Sequence, residues 1–357
     1  MKKLFGVIFF IIILNTVVFA GVEVPEYIKV KMSDGRVQEI ELDTYLYGVV
    51  QSEMGTAYKA SGMKSSEEVP IEALKAQAVA SRSYAVYKIL SAGEDADYHV
   101  TSTTSSQVYK NITPHENVKE AVDETAGQVI LYDGEVIEAF FFSTSGGHTE
   151  APENVWYAEI PYLKGVEDEY EIEVDNKTTW TAVFNTSDLE RIFPTIGEIE
   201  DVRIVQISEN DRVTELRIEG SKAEKILLKN GIRTTLGASK VKSQWFEVDF
   251  DGDEAIFEGR GFGHGVGMSQ NGAIGMALEG FEYDEILKWY YTDVEILGVD
   301  EDRYGRKDRY DDDNEKYEED YNEDDEQDEE KTEEMKPLLE KLTVACSTNW
   351  LLEYIKG

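Results

Sequence analysis

Apolar and polar positions alternate along YIKVKM (Tyr27 to Met32) and VQEIEL (Val37 to Leu42), on either side of Ser33-Asp34-Gly35. A period of two around turn residues predicts a β-hairpin. TYLYGVVQSEM, which follows, changes to helical spacing. PIEALKAQAVASRSYAVYKIL (Pro70 to Leu90) predicts a helix, with Pro70 suited to its first turn. Ile71, Leu74, Ala78, Ala85 and Ile89 would face a core, and Gln77, Arg82 and Tyr84 are polar or amphipathic insertions near the middle. GQVILYDGEVIEAFFFST (Gly127 to Thr144) predicts two strands around Tyr132-Asp133-Gly134, and DVRIVQIS, TELRIEG and QWFEVDF predict more. NGAIGMALEG (Asn271 to Gly280) predicts a later helix, followed by YDEILKWYY. The expected fold is α+β, antiparallel hairpins with a few helices, without a fixed-period repeat.

The two ends follow other patterns. Lys2 and Lys3 precede LFGVIFFIIIL (Leu4 to Leu14), and Val18-Phe19-Ala20 closes the segment. This predicts a signal peptide over 1–20, cleaved before Gly21, with an uncleaved anchor as the alternative. The expected location is therefore the periplasm, cell wall or exterior, with membrane contact only through that segment if it is retained. Between Asp300 and Lys336 stand twenty acidic and seven basic residues with almost no aliphatic ones, which predicts a disordered acidic segment over 299–336. Asp311, Asp313 and Glu315 are spaced like the start of a calcium loop, but Lys316 stands where that loop needs glycine. Residues 337–357 predict a short helical piece, leaving 21–298 as the folded domain.

Composition narrows the function. The 357 residues carry 73 acidic and 35 basic side chains, a net charge of −38, which argues against a nucleic-acid partner. A 41% hydrophobic content with 20 Tyr, 14 Phe and 5 Trp can fill a sizeable core. Cys346 is the single cysteine, so neither an intramolecular disulfide nor a cysteine-rich zinc site can form.

Three patches stand apart from ordinary core or surface. In VVQSEMG, Glu53 lies beside Val49, Val50 and Met54, a setting that disfavours the charged carboxylate and prepares it to donate a proton; the plain alternative is an exposed helix acid. FFFSTSGGHTEAPENVW (Phe140 to Trp156) delivers Ser145 and His148 to a glycine loop. That loop could hold a nucleophilic serine, hydrogen-bond sugar hydroxyls, or simply turn. EGRGFGHGVGMSQNGA (Glu258 to Ala273) alternates glycines from Gly259 to Gly267, so that another backbone or a flat ligand can approach, and offers His264, Ser269 and Gln270. It is neither a dinucleotide fingerprint nor a P-loop. A metal site would have to recruit His99, His148 and His264, and no metal or other cofactor is expected.

PIEALKAQAVASRSYAVYK, FFSTSGGHTE and GRGFGHGVGMSQNGA, in this order, resemble the stage II sporulation protein D or amidase enhancer family, over roughly Val24 to Tyr291. The resemblance implies a protein that binds peptidoglycan glycan strands. Its sporulation members are lytic transglycosylases with one catalytic glutamate, at the position of Glu53 here. The implied glycan cleft would use Gln77, Arg82, Tyr84, Ser145, His148, His264, Ser269 and Gln270. The alternative implied by the enhancer name is a noncatalytic binder that stimulates an N-acetylmuramoyl-L-alanine amidase. This chain departs from the family in three places. A longer link joins Met54 to Pro70. Ser and Thr replace the cysteines with which some relatives hold zinc after the long helix. Asn271 follows Met-Ser-Gln where relatives often have an aromatic, which would weaken sugar stacking.

Overall fold

The computed structural model describes residues 24–298, apart from Glu94 and Tyr157. The expected signal segment, acidic segment and C-terminal piece lie outside the described residues. The first part of the chain forms β1 (Tyr27–Lys31), β2 (Val37–Glu41), α1 (Leu42–Glu53), β3 (Ala57–Tyr58), β4 (Glu67–Glu68), α2 (Ile71–Ala92), β5 (Val100–Thr101), α3 (Glu116–Glu124), β6 (Val129–Tyr132), β7 (Glu135–Val136) and β8 (Phe141–Phe142). The second comprises α4 (Pro152–Val155), β9 (Thr179–Asn185), α5 (Thr186–Ile192), β10 (Ile199–Ile207), β11 (Val213–Gly220), β12 (Glu224–Leu228), α6 (Gly231–Leu236), β13 (Phe246–Phe250), β14 (Glu254–Arg260), β15 (Met268–Ser269), α7 (Gln270–Leu278), α8 (Tyr283–Tyr290) and β16 (Glu295–Leu297). The fold is α+β, with small and mostly antiparallel sheets.

The predicted first hairpin is present, in register from Tyr27↔Glu41 to Lys31↔Val37, and β5 adds to β1 in parallel. α2 is less amphipathic than its spacing implied, because it is buried on all sides from Ala76 to Val86. α1, α3, α7 and α8 all pack against it. Leu74, Ala78 and Val86 enter one apolar core, and Ala76, Val79 and Ala80 a second. An alanine-rich helix suits such a place, since small side chains let several neighbours approach at once.

The reversal at Asp133 (φ 51) and Gly134 (φ 81) is of the doubly left-handed kind that Asp-Gly favours. The strand after it ends at Val136, earlier than the pattern suggested. Phe141–Phe142 instead pairs in parallel with β15, 126 and more residues on, so the two glycine-rich motifs share a ladder from Met268↔Phe141 to Ser269↔Phe142.

Residues 179–260 build a β lobe of two three-stranded antiparallel sheets, β10-β11-β12 and β13-β14-β9. β9 alternates strictly, sending Trp180, Ala182 and Phe184 inward to meet Leu216, Ile218, Phe246 and Phe257. The chain then returns to the helical part through Gly261 to Gly267. Among the described residues, no helix is long and apolar enough to cross a membrane.

Candidate active site

Glu53 is the last residue of α1, a helix that buries Tyr45, Leu46, Val49 and Val50. Its carboxyl emerges half-buried at the edge of that core. Oε1 accepts the Val108 backbone N–H at 2.5 Å, and the Gln270 side chain hydrogen-bonds the same carboxyl. Burial holds the carboxyl above its ordinary range, while these two hydrogen bonds pull it back. Gln270 Nε2 also donates to Gln77 Oε1 at 3.2 Å, and Gln77 Nε2 donates to Ser81 Oγ at 2.9 Å. The end of α1, the middle of α2 and the start of α7 therefore converge on one acid.

The backbone donor is itself fixed. Gln107 donates through Nε2 to the Ser81 carbonyl at 3.1 Å, and its Oε1 accepts the Tyr45 hydroxyl at 3.2 Å. This holds the Ser- and Thr-rich segment against α2 and aims Val108 N–H at Glu53. Sequence reasoning missed Ser81, Gln107 and Val108. Ser81 could have been found from its place four residues after Gln77, on the same helix face.

Tyr84 continues that face. Its ring meets Phe140 edge-on at 6.1 Å, Phe140 lies 4.8 Å from Trp156, and Trp156 lies 5.3 Å from His264. Phe140 and Trp156 keep part of their surface accessible, and partly exposed aromatic faces can stack on apolar faces of a ligand. Neither was singled out from the sequence, where they read as strand and loop residues.

His264 belongs to this aromatic cluster, and its hydrogen bonds fix its tautomer. Nδ1 accepts the Val266 N–H at 3.1 Å, so Nε2 carries the hydrogen toward the Phe141 carbonyl at 3.1 Å. Burial first, and the nearby Arg233 second, push its pKa down to about 3. The ring therefore stays neutral: its NMR shifts are expected to remain flat through neutral pH, and a titration step near the ordinary histidine range would contradict this geometry.

The other expected site residues divide. Ser269 and Ser145 have no exposed surface. Ser269 caps α7, its Oγ accepting Gly272 N–H at 3.1 Å and donating to Glu171 Oε1 at 2.9 Å. Ser145 gives its N–H to the same Glu171 oxygen, and its Oγ accepts Gly147 N–H at 3.0 Å. His148 hydrogen-bonds the Thr149 carbonyl through Nδ1 at 2.6 Å, an arrangement that does not make it the base of a Ser145 nucleophile.

Arg82 also has no exposed surface. It donates to the carbonyls of Thr125 at 2.8 Å and Val122 at 3.1 Å, at the C-terminal end of α3, where a cation is favoured. A glycan contact would require it to leave these partners. Arg82→Met is expected to cost roughly 3 kcal/mol in urea unfolding, because buried carbonyls lose their donors, with glycan affinity per folded molecule unchanged.

Asn271 corrects a sequence expectation. It is 6% exposed and donates through Nδ2 to Thr144 Oγ1 at 2.9 Å, so it joins the two motifs and offers no sugar-facing surface. The long link after Met54 folds into the β3–β4 hairpin and is tied to a distant segment by Ser61 Oγ donating to Asp175 Oδ1 at 2.7 Å.

The alternating glycines resolve the choice between backbone and ligand. Gly265 (φ 87) and Gly267 (φ 78) are left-handed, and both lie against protein. A Cβ on Gly265 would sit 2.7 Å from the Arg212 guanidinium carbon, and one on Gly267 would strike the Phe140 carbonyl. Arg212, fully buried, reaches in from the β lobe and donates to the carbonyls of Ser145 at 3.0 Å and His148 at 2.8 Å. The glycine run thus admits a neighbouring strand and an arginine. Among the described residues, no group of three or more His, Cys, Asp or Glu is placed to hold a metal ion.

The amino-acid sequence has relatives among known proteins. The family model described as stage II sporulation protein matches residues 31–132, and a family of unknown function matches 176–267, which coincides with the β lobe. The stage II sporulation protein D of Bacillus subtilis (strain 168) is 33% identical over 303 residues, covering 80% of this chain and 82% of that protein. An uncharacterised protein of Brachyspira hyodysenteriae is 35% identical over 264 residues, 73% of this chain and 68% of its own. The amidase enhancer of Bacillus subtilis is 28% identical over 69% of this chain but only 39% of its own length. By sequence likeness across most of both partners, the chain belongs to the stage II sporulation protein D family.

Proposed function

We propose that this chain is an exported lytic transglycosylase of the cell wall, cleaving the bond between N-acetylmuramic acid and N-acetylglucosamine in peptidoglycan glycan strands. The observation that carries this reading is Glu53: a half-buried carboxyl with a raised pKa, hydrogen-bonded by Val108 and Gln270. Family membership supplies the cell-wall and sporulation context.

The mechanism needs one acid. The protonated Glu53 gives its hydrogen to the glycosidic oxygen as the C1–O bond breaks. The C6 hydroxyl of the same muramic residue attacks C1, and the Glu53 carboxylate takes the proton that this hydroxyl releases. The products are a 1,6-anhydro end and a free hydroxyl on the departing sugar, with no water consumed. A second carboxylate, which two-acid glycosidases use as nucleophile or base, is unnecessary. Gln77 and Gln270 hold the acid in place, and Tyr84, Phe140 and Trp156 supply the face for a sugar ring.

The test is to incubate the mature protein with glycan strands freed of stem peptides and to look for anhydro-muramic ends by mass spectrometry. Rate should fall as pH rises through the raised pKa of Glu53, since the protonated form does the first step. One observation favours a second reading: a relative named amidase enhancer. On that reading the protein binds glycan and stimulates a wall amidase without cutting strands itself.

A further inference from the structure

Glu171 lies in the segment between α4 and β9, outside every motif described above, yet it joins two of them. Oε1 accepts the Ser145 N–H and the Ser269 hydroxyl, the latter at 2.9 Å, and Oε2 accepts the Gly146 N–H at 2.8 Å. Ser269 caps α7 and is followed directly by Gln270, which reaches Gln77 and Glu53.

We infer that Glu171 is a positioning residue for Glu53: its carboxylate clamps the Ser145-Gly146 turn to the cap of α7 and thereby sets Gln270 against the acid. The inference rests on Glu53 acting as proposed above. Three donors onto one carboxyl favour its ionised form, because a protonated carboxyl turns one oxygen into a donor and accepts more weakly there.

The surroundings make that ionisation sensitive to pH. Asp168, in the same segment and 2% exposed, takes the Tyr290 hydroxyl of α8 on Oδ1 at 2.6 Å, and its carboxyl is pushed up by burial. Burial and then Asp168 push Glu171 up to about 7. Tyr290 faces the pair from α8, Arg212 offers positive charge from the loop before β11, and His148 acts on Asp168 from the glycine loop. As pH falls through about 7, Glu171 gains a proton and the clamp loosens.

The test compares the wild type with Glu171→Gln and Glu171→Asp. Wild-type anhydro-end formation is expected to fall on the acid side of about pH 7. Glu171→Gln should lower kcat roughly 10- to 100-fold, as misplacement of a reacting group does, leave KM unchanged, and lack that acid limb. Glu171→Asp should recover part of kcat. In parallel, in a Glu53→Gln background that removes the acid's own titration, the Gln270 side-chain amide signals in ¹⁵N NMR should titrate with Glu171 and stay flat once Glu171→Gln is added. An acid limb that survives in Glu171→Gln, or Gln270 signals that do not move in Glu53→Gln, would overturn the inference. If Glu171→Gln does not fold, the Gln270 titration in Glu53→Gln alone decides. A wild type that makes no anhydro ends while Gln270 still titrates in Glu53→Gln sinks the transglycosylase reading and leaves the clamp standing.

Discussion

Glu53→Gln is expected to reduce anhydro-end formation roughly 10²- to 10⁴-fold, the range lost when a positioned proton donor is removed. The amide matches the carboxyl in shape, and its oxygen can still accept the Val108 N–H, but it has no proton to give to a departing sugar oxygen. Folding should not suffer. Burial raises the Glu53 pKa above its unfolded value, so its contribution to stability is present below the unfolded pKa and lost as pH rises through the folded one. A neutral side chain escapes that loss, and the variant should be at least as resistant to urea as the wild type at neutral and alkaline pH. Mass spectrometry of the ends, urea unfolding and co-sedimentation with glycan measure the three quantities separately. Equal product from both proteins would mean that another acid acts. No product from either, with glycan still bound, would favour the enhancer reading.

Gly267→Ala is expected to cost roughly 2–5 kcal/mol in denaturant unfolding, from a left-handed backbone on a residue with a Cβ together with overpacking against a carbonyl. Gly267 sits at φ 78 against the Phe140 carbonyl oxygen, at the ladder between β8 and β15. Backbone on both sides cannot step aside as a flexible side chain could. Gly35 is the control: its φ is 86 but nothing lies within 4 Å of its would-be Cβ. Gly35→Ala should show only the backbone part, about 1–2 kcal/mol. Comparable losses for both variants would mean that the ladder yields more readily than its geometry indicates.

Local periodicity revealed the first hairpin, the three helices α1, α2 and α7, and the Asp-Gly turn, because in each the deciding contacts lie within a few residues. It overstated the amphipathic character of α2, since the helices that cover its far side come from sequence about 200 residues away. The strand alternation of β9, TWTAVFN, is as regular as that of β1, yet two of its inward positions are Trp180 and Ala182, whose shared role emerges only when the lobe closes around them. At the site, Glu53 was legible from its apolar neighbours. Its partnership with Gln270 was not, as nothing local links α1 to α7. Glu171 gave no signal at all: it stands in VEDEYEIEV among four other acids, and only its three donors distinguish it.

The contact between Gln77 and Gln270 spans 193 positions of chain. Ribosomes and export channels deliver a polypeptide from its first residue to its last, so the acid is made long before the residue that braces it. A partly delivered molecule has Glu53 without its brace, so on the reading proposed above a wall-cutting activity would arise only when nearly all of the folded chain has been delivered.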